Sequence, residues 1–270
     1  MRQRRRVLFD YGASMSDTTN YFTYLVTVAP AQTTTPKYTF AVGAPAARVD
    51  WGDGTPVTAV VSGVEMNHAY AGAGTFAVTL IAPNQATYLT QIDINADKVT
   101  SVLTPIQKFP KLTAFRAYTN VAWVQNIGDW VLPTGLVYFL VSVSSLFGDI
   151  SGWILPAGLT YFYIYSSSLS GNTSGLVLPA GLIEYKASAT SVNGCPNLDS
   201  MVVIQIILAN DTALIQASVD LYLARCVANE GDTTWATPTL NLGGTNQAPS
   251  AAGLLDKATL VAAGWIVTTN

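Results

Sequence analysis

The residues best suited to catalysis are few and scattered in this sequence. His68 is the only histidine among 270 residues, so any Ser-His-Asp or histidine–metal scheme would have to use it. Asp93, Asp149 and Glu184 are separated from one another and lack the surroundings of a glycosidase pocket. The sequence has no phosphate-binding glycine loop and no cluster of cysteines with histidine. We therefore predict a protein that is not an enzyme and that uses no metal and no cofactor.

Two other pairs of residues could hold an ion or a covalent bond. Asp50 and Asp53 flank a glycine-rich turn and could offer oxygen ligands to Ca²⁺. Two carboxylates without others nearby are better explained as caps of that turn. Cys195 and Cys226 are the only cysteines, which is too few for a disulfide framework, and two buried free thiols are favoured over a single bridge.

Tyrosines provide the clearest sign of binding chemistry. Tyr161, Tyr163 and Tyr165 alternate with apolar residues, which puts all three on one side of a strand. Exposed aromatic residues on a rigid sheet bind sugars by stacking and proteins as anchors. The alternative is that these tyrosines cover the sheet against a neighbouring subunit or only reflect the preference of tyrosine for strands. The predicted partner-binding residues are Tyr118, Tyr138, Tyr161, Tyr163 and Tyr165, with Arg116 and Lys186 at the rim.

The element that must position the tyrosines is a repeat of about 23 residues. Its units begin at Leu89, Leu112, Leu136, Leu159 and Leu182, and a looser sixth unit reads Val203-x-x-Ile206-x-Leu208-x-x-Asp211. The units share apolar residues at positions 1, 4 and 6, which we expect to be buried. The residues at positions 3, 5 and 7, including Leu140, Ser142, Ile207 and Ala209, are expected to face outward. The ninth position is short and polar: Asp97, Asn120, Ser144, Ser167, Thr190 and Asp211. The pattern resembles the leucine-rich repeat, which implies a solenoid of about six units over residues 84–210.

A different pattern precedes the repeat. Trp51-Gly52-Asp53-Gly54 reads as a tight turn that needs positive φ angles, and His68-x-Tyr70 and Gly74-x-Phe76-x-Val78 follow it. These motifs resemble the polycystic-kidney-disease (PKD) type of immunoglobulin-like domain. The resemblance implies a small β-sandwich over residues 21–83, with a structural role for His68 and a core position for Trp51.

The two ends of the chain differ from its middle. Residues 211–270 contain two helical patterns and two short strand patterns, which predict an α/β cap on the open end of the solenoid. Residues 1–20 form a basic arm, since Arg2, Arg4, Arg5 and Arg6 are four of the 13 basic residues and leave 9 basic against 16 acidic residues. Such an arm is expected to dock onto a larger acidic partner, although a solvated, disordered terminus is the alternative.

The predicted fold class is therefore mainly β: a small β-sandwich and a leucine-rich-repeat solenoid with an α/β C-terminal cap. The apolar stretch after the arm is too short for a secretion signal, and no apolar run is long enough for a membrane span. These features favour a bacteriophage virion component of the decoration, fibre or tail-associated kind at the virion surface. Its expected partners are other virion proteins or copies of itself, together with a host-surface glycan or protein, without direct nucleic-acid binding or membrane insertion. The alternatives are a bacterial cell-surface adhesin that binds glycan or protein, and a cytoplasmic effector or inhibitor.

Overall fold

The computed structural model describes residues 21–95, 97–201, 204–210, 212–229 and 238–270. The described residues are mainly β, with 30% strand and 15% helix, and they form several sheets but no closed barrel. The predicted arm with Arg2, Arg4, Arg5 and Arg6 lies outside the described residues.

Short strands dominate the chain up to residue 102, where β-branched and aromatic residues alternate with polar ones. These elements are β1 (Thr23–Val28), β2 (Thr33–Thr34), β3 (Lys37–Phe40), β4 (Arg48–Asp50), β5 (Thr58–Ala59), β6 (His68–Ala69), β7 (Gly74–Ile81), α1 (Gln85–Tyr88), β8 (Leu89–Asp93) and β9 (Val99–Val102). Five strands form an antiparallel sheet in the order β5-β4-β7-β1-β9, and β2 pairs with β6. On β1, the side chains of Tyr24, Val26 and Val28 point into the core.

The first repeat unit belongs to two sheets at once. Its strand β8 pairs antiparallel with β3, whereas its strand β9 pairs antiparallel with β1. Residues on both sides of position 83 therefore share sheets and one continuous hydrophobic core.

Each later unit contributes a three-residue strand to one long sheet. The strands after residue 102 are β10 (Ala114–Arg116), β11 (Tyr138–Leu140), β12 (Phe147–Asp149), β13 (Tyr161–Tyr163), β14 (Ser168–Asn172), β15 (Glu184–Lys186), β16 (Ser191–Asn193), β17 (Ile206–Leu208), β18 (Thr239–Asn241) and β19 (Ile266–Thr268). The nine-stranded sheet has the order β19-β18-β17-β15-β13-β11-β10-β8-β3, and it is parallel from β8 to β19.

Aromatic residues at the fourth position of the units stack inside this sheet. Phe115, Phe139, Phe162 and Tyr185 lie in register on β10, β11, β13 and β15 and are fully buried. Their neighbouring ring centroids are 6.1, 6.0 and 5.9 Å apart. The spacing of the repeat thus becomes a continuous aromatic column in the core.

In the sixth unit, the buried positions are shifted by one residue from the predicted ones. Val203 and Asp211 lie outside the described residues, but Ile206 and Leu208 are only partly buried, whereas Ile207 and Ala209 are buried at 1% and 2% exposure. Ile207 pairs with the buried Tyr185. The expectation that Ile207 and Ala209 face outward was wrong, because a run of consecutive apolar residues does not show which alternate set is inward.

The ninth position of the units joins each turn to the backbone. Ser144, Ser167 and Thr190 donate through their hydroxyls to the carbonyl three residues earlier, at 3.3, 2.7 and 2.7 Å. Thr212 makes the same bond to Ala209 at 3.0 Å. In the sixth unit, Thr212 therefore makes the ninth-position hydrogen bond that was predicted for Asp211.

A second, three-stranded parallel sheet consists of β12, β14 and β16. Gly148 and Gly171 in this sheet have φ angles of 126° and 116°. A methyl group on Gly171 would lie beside the carboxylate of Asp149 in the preceding unit, and one on Gly148 would meet the amide of Asn126. These amide and carboxylate oxygens accept from the backbone N–H two residues later, so that the glycines make room for a ladder of Asx turns.

The C-terminal part contains the predicted mixture of helices and strands. Helix α2 (Gln216–Ala228) and helix α3 (Ala251–Ala262) pack against each other, and Ser250 caps α3 by accepting from the N–H of Gly253 at 3.2 Å. Strands β18 and β19 extend the nine-stranded sheet. Cys195 and Cys226 are buried free thiols.

Candidate functional site

The outward side of β10, β11, β13 and β15 carries a continuous group of aromatic and charged side chains. We call it the tyrosine face; its members are Arg116, Tyr138, Tyr161, Tyr163, Tyr165, Glu184 and Lys186. Strand alternation positions them, because Phe162 and Ile164 point into the core while the tyrosines on either side remain partly exposed. The parallel register places Tyr138, Tyr161 and Glu184 in one row across the strands.

The rings of Tyr138 and Tyr161 stack face to face. Their centroids are 5.1 Å apart and their planes differ by 7°. The guanidinium carbon of Arg116 lies 4.7 Å from the centroid of the Tyr138 ring. Since β10 and β13 flank β11 on opposite sides, Arg116 covers one face of the Tyr138 ring and Tyr161 covers the other. The face therefore presents the edge of Tyr138 to its surroundings.

Tyr163 links the stacked pair to a charged cluster. Its ring lies 6.3 Å from that of Tyr161, at 83°, and 6.1 Å from that of Tyr165. The hydroxyl of Tyr163 donates to the carboxylate of Glu184, and the ammonium of Lys186 donates to the same hydroxyl at 3.2 Å. The Lys186 ammonium also lies 4.3 Å from the centroid of the Tyr163 ring and forms an ion pair with Glu184.

Burial and the charge of Glu184 raise the pKa of two tyrosine hydroxyls, those of Tyr161 and Tyr163. Burial raises the pKa of Tyr163, and the hydrogen bond to Glu184 and its negative charge raise it further. Burial likewise raises the pKa of Tyr161, again with a contribution from the Glu184 charge. Both hydroxyls are therefore neutral hydrogen-bonding groups at ordinary pH.

A second ionic cluster lies next to Arg116. The carboxylate of Asp93 lies 3.5 Å from the ammonium of Lys37 and 3.8 Å from the guanidinium of Arg116. The side chain of Gln91 accepts from Arg116 at 3.4 Å. Charges at both ends of the face thus have partners of opposite sign.

Six of the seven predicted residues come together in this way. The ring and cation contacts run from Arg116 through Tyr138, Tyr161 and Tyr163 to Tyr165 and Lys186. Tyr118 is 38% exposed and lies beside this series, with its backbone N–H bonded to the side chain of Asn95 at 3.1 Å.

The sequence prediction missed two features of the face. Glu184 joins Tyr163 and Lys186, and its place two residues before Lys186 on the same side of a strand is the signal that could have revealed it. Leu140 and Ser142, predicted to be exposed, are 9% and 1% exposed. Leu140 pairs with Arg116 on one side and with Tyr163 on the other, and these longer side chains cover it.

The only histidine is a packing element of the N-terminal strands. Its ring stacks on Trp51 at 4.4 Å and 5°, meets Tyr70 edge-on at 4.6 Å, and bonds through Nε2 to Asp53 at 2.8 Å. Asp53 also accepts from the backbone and hydroxyl of Thr55. Burial raises the pKa of Asp53, but the hydrogen bonds from Thr55 and His68 outweigh it, so this pKa lies below its usual value.

The turn carboxylates are likewise engaged within their own turn. Asp50 accepts from the backbone N–H of Gly52 at 2.9 Å, as expected of a turn cap. In the part of the chain that the structure describes, no three His, Cys, Asp or Glu side chains come together as metal ligands.

Comparison with known proteins leaves the tyrosine face to be interpreted from its own geometry. No protein-family model matches this chain, and neither does any curated protein or solved structure. Within the described ranges, no helix has the length and apolar character needed to cross a membrane.

Proposed function

We propose that this chain is a non-enzymatic structural and recognition protein of a bacteriophage particle, and that it contacts a protein partner through the tyrosine face. The observation that carries the proposal is the face-to-face stacking of Tyr138 and Tyr161 between Arg116 on one side and the Tyr163–Glu184–Lys186 cluster on the other.

This geometry favours a protein partner over a sugar. A pyranose ring stacks on an open aromatic face, but both faces of the Tyr138 ring are covered, by Arg116 and Tyr161. What remains accessible of Tyr138 is the edge of its ring. Tyrosines of this kind combine apolar area with a hydrogen-bonding group at little loss of side-chain entropy, which suits contacts between proteins.

The charges around the face suit the same kind of partner. Arg116 and Lys37 share Asp93, and Lys186 is paired with Glu184. Protein interfaces have an aromatic centre with arginine and a polar rim, and they contain few unpaired charges. A flat protein surface can therefore cover the tyrosine face without leaving a buried charge without a partner.

We also propose the finer architecture that the sequence motifs imply, namely a PKD-like sandwich, a leucine-rich-repeat-like solenoid and an α/β cap. The parallel register from β8 to β19 and the column from Phe115 to Tyr185 support the solenoid. The assignment to a phage particle is supported by the basic arm in the sequence, which suits docking onto a larger acidic partner. Docking through Arg2, Arg4, Arg5 and Arg6 belongs to the same proposal.

Fractionation of a producing culture tests the assignment. Particles and cell envelopes are purified separately, and peptides of this chain are quantified in each by mass spectrometry. We expect the chain in the particles, and deletion of residues 2–6 should reduce its incorporation without changing its melting temperature. A chain found only in the envelope, together with glycan binding that is lost on Tyr161→Ser, would favour the adhesin instead.

A further inference from the structure

The outer sides of helices α2 and α3 carry the same residues in the same order. Alanine, leucine, alanine and alanine follow one another at positions i, i+4, i+7 and i+11, which lie on one side of a helix. They are Ala217, Leu221, Ala224 and Ala228 on α2, and Ala251, Leu255, Ala258 and Ala262 on α3. All eight are exposed. We call them, together with the exposed Leu254 and Val261 beside them on α3, the helix face.

The large side chains of the helix face lie open to solvent. Leu255 is 70%, Leu254 52%, Val261 51% and Leu221 39% exposed. The inner sides of both helices are already used for packing, since Val219, Tyr222, Leu223, Cys226 and Leu260 belong to the core. A surface helix ordinarily turns charged and polar residues outward, whereas these two turn aliphatic residues outward. Contiguous apolar surface of this kind marks a contact site.

The charged residues of the two helices lie outside the helix face and are only partly exposed: Asp220, Arg225, Asp256 and Lys257. Asp220 accepts from the N–H of Ser250 at 2.9 Å, and Arg225 donates to a backbone carbonyl at 3.1 Å. Lys257 donates to the hydroxyl of Thr269 at 2.9 Å. Helices that lie on a membrane are rich in basic residues along their polar side. These helices are not, so an apolar protein surface suits the helix face better than lipid does.

The helix face is complementary to a second copy of itself. Strands β17, β18 and β19 are parallel, and α2 and α3 connect them in turn, so both helices run in the same direction. A twofold axis perpendicular to the helices sets each helix antiparallel to its own copy. Leu255 then lies opposite Ala258 of the second copy, and Leu221 lies opposite Ala224. One axis serves both helices because the order of residues is the same in both.

A twofold axis along the helices gives a poorer match. It would place α2 on α3 of the second copy in the parallel direction, with leucine against leucine and alanine against alanine. Such an arrangement leaves gaps beside the alanines, and it aligns the helix dipoles unfavourably. The antiparallel arrangement instead sets each large side chain against a small one.

We propose that the helix face is an antiparallel interface between two copies of this chain. The exposed parts of its side chains amount to on the order of 600 Å² per copy, which places the dimer near the lower end of the range for specific interfaces, about 1,200 Å² in total. Its dissociation constant is of micromolar order. The helices pack on the inner side of the nine-stranded sheet, opposite the tyrosine face, so the interface does not depend on the function proposed for that face.

Sedimentation equilibrium of the full chain over a range of concentrations tests the proposal. Leu255→Glu puts two carboxylates into the apolar contact and should raise the dissociation constant by about 100-fold or more, while glutamate keeps the helix propensity of leucine. Val121→Glu is the matched control, because Val121 is 69% exposed but lies outside the helix face, and it should leave the constant unchanged. Melting curves establish that both variants are folded.

Exchange of a leucine with the alanine opposite it tests the antiparallel register. Leu255→Ala removes two leucine contacts per dimer, and Ala258→Leu sets leucine against leucine, so each alone should weaken the dimer by about tenfold. The two changes in one chain should restore it, because large and small residues face each other again.

Three results would contradict the proposal. A wild-type chain that stays monomeric at about 0.3 mM would overturn the interface, since even weak specific contacts are populated there. Equal effects of Leu255→Glu and Val121→Glu would also overturn it. A double exchange at Leu255 and Ala258 that stays as weak as the single changes would overturn the antiparallel register.

Discussion

The ring of Tyr138 lies flat against the ring of Tyr161 in the neighbouring unit, with centroids 5.1 Å apart and planes 7° from parallel. The two residues are direct partners in the register of β11 and β13. The contact therefore joins two repeat units on their outer side, in parallel with the contact of Phe139 and Phe162 on the inner side. A binding residue of the tyrosine face is thus also a structural one.

A double-mutant cycle measures this contact. Replacement of Tyr138 and Tyr161 by leucine, singly and together, should give a coupling of about 0.5–1.5 kcal/mol in the free energy of unfolding, because stacked aromatic pairs contribute this much beyond their buried area. The same cycle on Tyr138 and Tyr88 provides the control. Strictly additive effects at Tyr138 and Tyr161 would show that the stack does not stabilise the fold.

Alanine at the glycines of the second sheet should be strongly destabilising. Gly171 has a φ of 116°, and its added methyl group would collide with the Asp149 carboxylate. We expect Gly171→Ala to cost about 2–4 kcal/mol in unfolding free energy, from backbone strain and the displaced Asx turn. Gly152→Ala is the matched control, since nothing lies within 4 Å of its added methyl group. Similar losses for both variants would contradict this account.

Asp97 should make the protein less stable as pH rises. Burial raises the pKa of this carboxyl to about 7, although the N–H of Thr35 donates to it, and the charges of Asp93 and Glu65 contribute to the rise. The phenols of Tyr24, Tyr38 and Tyr70 that face it have raised pKa values because they are buried, so they remain neutral in this range. Of Asp97 and these three phenols, only Asp97 therefore titrates between pH 4 and pH 7.

The direction of this pH dependence follows from the linkage between protonation of Asp97 and folding. The folded-state pKa lies above the unfolded value of about 3.9, so the native state holds the proton more tightly between about pH 4 and pH 7. The stability that this carboxyl contributes is fully present below about pH 4, falls by on the order of 4 kcal/mol between about pH 4 and pH 7, and does not change further above that range. Denaturant titrations at several pH values between about 4 and 7 measure this effect. The free energy of unfolding of the wild type should fall as the pH rises, whereas that of Asp97→Asn, which lacks this carboxyl, should fall less. Parallel pH profiles would contradict the prediction.

Trp51→Ala should destabilise the N-terminal strands by about 3–5 kcal/mol, as truncation of a large core aromatic does. Trp51 is 1% exposed, stacks on His68 and donates to the hydroxyl of Thr58 at 2.8 Å. Val57→Ala, at a 44% exposed position, provides the control. A loss below about 1 kcal/mol for Trp51→Ala would mean that the tryptophan contributes little to the core.

The sequence reveals the parts of this fold that repeat with a clear alternation. In the unit that begins at Leu159, aromatic and apolar residues alternate with tyrosines, so the inward set and the outward set are readable. The sixth unit shows the limit, since Ile206, Ile207 and Leu208 are all apolar and only the pairing of Ile207 with Tyr185 shows which one points inward.

Contacts between segments that are distant along the chain could not be predicted from the sequence. Nothing in Val99–Val102 indicates that this strand joins β1 instead of the repeat sheet. Likewise, the spacing of the tyrosines predicts that they gather, but not that Tyr138 is covered on both faces. That depends on the register between strands and on the side-chain rotamers. The same limit applies to the Tyr163–Glu184–Lys186 cluster, which comes from two different units.

Covalent footprinting of the tyrosines in free and assembled protein tests the central claim most directly. Hydroxyl radicals are applied to the purified chain and to particles that contain it, and the modification of each tyrosine is measured by mass spectrometry. We expect Tyr138, Tyr161, Tyr163 and Tyr165 to be protected by about tenfold in the particles, because a protein interface excludes solvent from its centre. Tyr88, which lies away from the face, should react equally in both samples. Equal reactivity of the tyrosine face in free and assembled protein would contradict its role as the contact surface.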